Sequence, residues 1–287
     1  MTGHAWVLLP SGRQLDLLAQ HPCAWTDGDL AVRLSRTYRW CSDTRWAHPL
    51  SVAQHSLTVL HLRQAMAAQP LTPAEQLREL LHDAEEALVN HDVPTPLKPL
   101  LGDGYRAMTT GLRRAIDGRY DLPRWSRASH DAHKHADRLA AASEAHHVVG
   151  WPEAYVRARL GITLSPLADD PLPLQPALQP WEPWPASLAA RLFQQRLEQL
   201  QRDTLGADDM MEVAVLLPGS MGLHGARSGE HPTFVLVDGG GATIDGRVVK
   251  GLRDEHGTWD FDSMFTVQTE NGELIKVRGW NCVTEVV

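Results

Sequence analysis

The apolar residues of this chain change their period once, and that change limits what it can fold into. Up to about residue 205 they recur at helical spacing, and from about Met210 they alternate in short runs. Spacings of three and four bury one face of an α-helix, whereas alternation buries one face of a strand. The pattern predicts a mainly α-helical bundle over 1–207. A small antiparallel β-domain, a barrel or sandwich, follows over 208–287, giving an α+β chain overall. At 287 residues the chain is long enough for two cores.

Within the first part, Asp29 to Trp40 reads as helix, with Leu30, Leu34 and Tyr38 on one stripe and Asp27 or Asp29 as its cap. Val52, His55, Val59, Leu62 and Met66 are spaced 3, 4, 3, 4, so His55 points inward with the apolar residues. Thr72, Pro73 and Glu75 make a capping box that opens a helix with the core stripe Leu77, Leu81, Ala84, Leu88. Pro94 and Pro96 stop it, and a loop follows. Leu112 to Ile116 reads as a short helix, and Ser126 or Ser129 caps a longer one reaching about Val149. Seven prolines in 163–185 predict an irregular wrapping segment, pinned by Trp181 and Trp184. Ala186 to Leu205 returns to helix, with Leu188, Leu192, Arg196 and Gln199 on one side and Leu197 and Leu200 nearby.

In the tail, EVAVLL, TFVLV, ATI, VVKGL, MFTVQT and LIKVRGW are candidate strands. Asp245-Gly246 and Asn271-Gly272 are hairpin-turn signals, since both central residues of a type I′ turn need positive φ. The glycines at 239–241 read as a hairpin loop; no helix and no Lys-Ser/Thr pair follows to make a phosphate cradle.

Charge separates the two parts again. Residues 208–287 hold 13 acids against 6 Lys+Arg, a balance of −7 that leaves −1 of the net −8 for the rest. An acidic tail repels phosphate backbones, which disfavours generic nucleic-acid binding. Cys23, Cys41 and Cys282 are far apart and make no CxxC pair, so a disulfide framework is not indicated and a reducing cytoplasm is expected. The start lacks a basic and apolar leader, and no run approaches the roughly 20 apolar residues that span a bilayer. A soluble chain without membrane contact is the expectation.

His55, His82, Asp83 and Asp137 all fall in segments read as helix, and together they offer two imidazoles and two carboxylates. That set suits one divalent transition ion (Mn, Co, Ni, Fe or Zn), with Mg disfavoured, and leaves room for a phosphate oxygen and a water. As neighbours on a helix, His82 and Asp83 diverge by roughly 100°, so they share an ion only at the seam with other helices. Glu86, four residues after His82, projects from the same face. It could deprotonate a water or protonate a leaving group, and Arg39 could offset charge on a phosphate. The expected chemistry is hydrolysis of a phosphate ester. Plainer readings stand beside these: Arg39 and Trp40 as packing and surface charge, Asp92 as a residue closing the turn before Pro94. The run HDAHKH reads as a solvated face, because His133 and His135 point roughly 200° apart on a helix.

SVAQHS at 51–56, LLHDAEEALVNHDVPTPLK at 80–98 and HADRLA at 135–140 resemble the signature segments of the HD-domain metal phosphohydrolases. Within that superfamily they are most similar to the 5'-deoxynucleotidases and the phage-type nucleotide phosphohydrolases. The resemblance covers roughly residues 11–205, including RTYRW at 36–40. It implies that His55, His82, Asp83 and Asp137 bind the metal, that Glu86 acts on water, that Arg39 and Trp40 lie against phosphate and sugar, and that Asp92 faces the nucleotide. The interval from Glu86 to Asp92 is one residue longer than usual, so either His91 or Asp92 fits that last role. Ser42-Asp43 also stands where phage-type relatives often have Gly-His. The expected reaction converts a deoxynucleoside 5'-monophosphate to nucleoside and phosphate. The same ligands could serve a nucleoside triphosphate or a cyclic nucleotide, or a dinuclear centre with further histidines. A degenerate scaffold that binds a nucleotide and signals through the β-domain is the non-enzymatic alternative. A homodimer is the family expectation.

Overall fold

The computed structural model describes residues 5–94, 96–205, 211–216, 233–238, 243–250, 264–269 and 274–278. They are mainly helical. By backbone proximity the chain divides into two units. One comprises Asp27–Arg113 with Leu122–Leu200; the other comprises Met1–Thr26, Arg114–Asp121 and Gln201–Val287.

In the second of these, β1 (Trp6–Leu8) and β2 (Gln14–Asp16) form an antiparallel hairpin with Val7 opposite Leu15. Gly12 closes its turn at φ +86°, a conformation open to a residue without Cβ. Strands of three residues are too short to show alternation, so this hairpin has no signature in the sequence. The Arg119 guanidinium lies 5.6 Å from the ring centre of fully buried Trp25. In the tail, β3 (Met211–Leu216), β4 (Thr233–Asp238), β5 (Thr243–Lys250), β6 (Met264–Thr269) and β7 (Leu274–Arg278) pair antiparallel in chain order. Asp245-Gly246 is not a turn: it sits inside β5, paired with Val235 and Phe234, so the two runs read as separate strands are one. Residues 239–241, Asn271-Gly272 and Cys282 lie outside the described residues.

The helical unit opens with α1 (Asp27–Arg36), which buries Leu30 and Leu34. It ends four residues sooner than its stripe suggested. The Thr37 hydroxyl donates to the Arg33 carbonyl, and Tyr38 joins Ser51 in an antiparallel bridge, so Arg39 and Trp40 leave the helix. Helix α2 (Val52–Met66) is capped by Ser51, whose hydroxyl accepts from the Gln54 N–H. His55 and Val59 are fully buried on it, whereas Met66 at its end is exposed. The capping box forms as read: Thr72 accepts from the Glu75 N–H, and Glu75 accepts from the Thr72 N–H.

That box starts α3 (Pro73–Leu80), and here the single predicted helix breaks. Residues 81–83 form a turn before α4 (Ala84–Val89). His82 Nδ1–H donates to the Glu79 carbonyl at 2.8 Å, occupying the acceptor that a continuous helix would offer to the Asp83 N–H. Leu77, Leu81, Ala84 and Leu88 are nevertheless all buried.

Where a loop and a short helix were expected, a 3₁₀ turn (Lys98–Leu101) leads into α5 (Gly102–Arg119). Ser126 caps α6 (Arg127–Glu144), and a π-turn (Ala145–Val149) extends it to the predicted end. After α7 (Glu153–Leu160) the proline-rich segment runs without regular structure. Trp181 stacks on His147 at 4.7 Å between ring centres, and the Trp184 N–H donates to Gln54. In α8 (Ala186–Leu205) the buried stripe is Ala189, Phe193, Leu197 and Leu200, so of the residues read on this helix Leu197 and Leu200 are the buried ones and the side beginning at Leu188 is not. No helix among the described residues is long and apolar enough to cross a membrane.

Candidate metal centre

Three elements of the helical unit bring His55, His82, Asp83 and Asp137 together: α2, the turn between α3 and α4, and α6. One ligand atom from each of His55, His82 and Asp137 lies within 4.8 Å of the other two. Around the Nε2 atoms the separations are 3.3 Å from His55 to His82, 3.5 Å from His55 to Asp137, 3.2 Å from His82 to Asp83 and 3.7 Å from His55 to Asp83. Ligand bonds of about 2.0–2.2 Å place neighbouring donors about 3.0–3.6 Å apart around one ion; three of the four separations fall in that range, and His55 to Asp83 lies just beyond it. The break at residues 81–83 permits this, since it lets two adjacent side chains converge instead of diverging.

The backs of the two rings settle which nitrogen faces inward. His55 Nδ1–H donates to Glu144 Oε1 at 2.6 Å, and His82 Nδ1–H to the Glu79 carbonyl. Both Nε2 atoms thereby face the two carboxylates, as donors when the rings are charged and as lone pairs when they are neutral. Neutral rings would offer two lone pairs beside the two carboxylates, a donor set that could hold a cation; charged rings pair with those carboxylates directly.

The titration behaviour follows from the same field. Burial and Arg39 depress the His55 imidazole, but Glu144 and Asp137 outweigh them and raise it to about 9. Burial also depresses His82, and Asp83 more than offsets it. Burial pushes the Asp83 and Asp137 carboxyls up, yet the imidazoles hold both below the usual carboxylate range.

Around this centre, Arg39 is held by Glu144 at 2.9 Å, with Nη1 3.8 Å from Asp83 Oδ2. Trp40 Nε1–H donates to the same Glu144 oxygen at 3.2 Å. Trp40, Cys41 and Ser42 have φ of 57°, 53° and 68°, three successive left-handed residues without a glycine. Glu86 lies on α4, buried, with Oε1 3.2 Å from Lys98 Nζ and no hydrogen-bond partner for Oε2 among the described residues. Burial, then Asp83 and Asp92, raise its carboxyl well above the ordinary value. Asp92 is half-buried within electrostatic reach of Arg39 and Glu86, while His91 is exposed.

Four residues of this surrounding were not read as site residues: Glu79, Lys98, His133 and Glu144. The solvated-face reading of HDAHKH fails for His133, which is buried with its ring centre 4.8 Å from that of His82. Its Nδ1–H donates to Glu79 Oε2 at 2.8 Å, and Arg63 Nε–H donates to Oε1 at 2.7 Å. His135 is exposed, as expected. The available signal was helical: His133 and Glu144 stand four before and seven after Asp137, on its face of α6.

No family model matches the chain. An uncharacterized protein of Rhodobacter capsulatus is 37% identical over 151 residues, which span 52% of this chain and 76% of that protein.

Proposed function

The chain belongs to the family of the Rhodobacter protein, and for it we propose metal-dependent hydrolysis of a nucleotide phosphate ester by an HD-type phosphohydrolase. The substrate in this reading is a deoxynucleoside 5'-monophosphate, cleaved to nucleoside and phosphate. The observation that carries it is the convergence of two imidazole Nε2 atoms and two carboxylates, with Arg39 and the buried Glu86 beside them.

His55, His82, Asp83 and Asp137 would hold one divalent transition ion. When bound, such an ion supplies Lewis acidity to a phosphoryl oxygen and acidifies a water. Arg39, its Nε held by Glu144 and its Nη1 3.8 Å from Asp83, would turn its outer nitrogens to the phosphate; a guanidinium fits that anion by paired donors. Glu86 is the proton-transfer group. A carboxyl raised by burial can give a proton to the departing 5'-oxygen or take one from the attacking water. Asp92 and Trp40 would orient the sugar. The remaining parts of the reading are a cytoplasmic homodimer and closure of β3 to β7 into a small barrel or sandwich.

Phosphate release and product chromatography across nucleoside mono- and triphosphates and cyclic nucleotides test this. Expected is phosphate release from deoxynucleoside 5'-monophosphates with manganese or cobalt, lost in Glu86→Ala. No turnover of any nucleotide with any of Mn, Co, Ni, Fe or Zn would overturn it.

A further inference from the structure

Glu144 touches a candidate metal ligand, His55, and both members of the candidate phosphate-facing pair, Arg39 and Trp40. Its carboxylate is 2% exposed and divides its oxygens between two tasks. Oε1 accepts from His55 Nδ1–H at 2.6 Å; Oε2 accepts from Arg39 Nε–H at 2.9 Å and Trp40 Nε1–H at 3.2 Å. The donors come from α2 and from the segment after α1; backbone pairing of Tyr38 with Ser51 and of Arg39 with Leu50 brings the two segments side by side, and the Glu144 side chain links His55 to the Arg39 and Trp40 side chains across them.

We propose that Glu144 is a positioning residue that couples ion binding to substrate binding; this rests on the reading above. Its grip on His55 fixes the ring whose Nε2 faces the centre. Its grip on Arg39 and Trp40 fixes a guanidinium and an indole in a stretch whose left-handed backbone would otherwise relax. A shift of the carboxylate on one side moves the donors on the other. Such coupling is reciprocal: an ion tightens phosphate-ester binding by the factor by which the ester tightens ion binding.

Glu144→Gln separates the two tasks. An amide keeps the shape but has one accepting oxygen, which can serve His55 or the Arg39–Trp40 pair and not both. The experiment is calorimetric titration of Mn²⁺ into chelator-stripped full-length protein, with and without a saturating deoxythymidine 5'-phosphonate whose P–C bond resists hydrolysis. In the wild type the phosphonate should tighten Mn²⁺ binding by about 5-fold or more. In Glu144→Gln that factor should fall to the part that direct contact between ion and phosphonate supplies, and Mn²⁺ affinity alone should fall about 10- to 100-fold. Glu144→Asp, which keeps both accepting oxygens but draws them back by one methylene from His55, Arg39 and Trp40, should also reduce the coupling factor. It decides the matter if Glu144→Gln does not fold. An undiminished coupling factor in the folded variants overturns the proposal and leaves the metal reading standing. Absence of Mn²⁺ binding in the wild type overturns both.

Discussion

His55 and His82 present the same nitrogen to the same point, yet they are backed in opposite ways. Behind His55 stands a carboxylate, Glu144, whose other oxygen holds Arg39 and Trp40. Behind His82 stands only the main-chain carbonyl of Glu79; the Glu79 side chain turns away to Arg63 on α2 and His133 on α6. One backing therefore leads to the residues that would meet a substrate, the other into the junction of three helices. A buried carboxylate bonded to a histidine can serve the chemistry or the fold, and what its second oxygen touches separates Glu144 from Glu79.

The largest effect expected from this contrast is on stability. Glu79→Ala leaves the Arg63 guanidinium and the His133 ring buried without their partner, and removing one member of a buried ionic group costs about 3–5 kcal/mol. Urea denaturation should show that loss. A change below about 1 kcal/mol would mean that Arg63 and His133 find other partners and the junction is not built around Glu79.

His133→Phe comes next. It keeps an aromatic ring beside His82 and Trp125 and orphans one Glu79 oxygen, for which about 1–3 kcal/mol is expected. Mn²⁺ affinity in this variant should stay within a few-fold of wild type. A collapse of affinity instead would make His133 part of the centre and erase the distinction between the two backings.

The smallest effect concerns a histidine that belongs to neither side. His147 stacks on Trp181, and its Nε2–H donates to the Leu167 carbonyl. Burial lowers its pKa below the ordinary imidazole value. The unfolded chain therefore takes up a proton first on acidification, so this residue's contribution is intact above about pH 6.5 and declines below it. Thermal melts between pH 7.5 and 5.5 should show a shallower loss for His147→Gln than for wild type. Parallel curves would contradict the sign.

Much of the helical part was legible because spacing alone oriented it. The 3, 4, 3 stripe put His55 inside, and Thr72 and Ser126 capped their helices as their side-chain oxygens allow. The break at His82-Asp83 was not, because the apolar stripe runs through it unchanged; what interrupts the helix is a side chain competing for a carbonyl. Arg39 was read into a helix because Tyr38 fits the stripe by position, while in the fold it makes a bridge. His133 was judged against His135, the wrong neighbour, when its face is that of Asp137. Three left-handed residues at 40–42 leave no mark in composition, since none is glycine. In the tail, alternation revealed strands, but a turn dipeptide inside β5 was overruled by pairing with β4.

The account stands on His55, His82, Asp83 and Asp137 acting as one metal centre, and calorimetric titration of Mn²⁺ or Co²⁺ into chelator-stripped protein addresses that directly. One ion per chain should bind, and Asp137→Ala should weaken binding beyond detection while far-UV circular dichroism stays that of the folded wild type. A wild-type chain that binds no ion, or an Asp137→Ala chain that binds it equally well, would contradict the account.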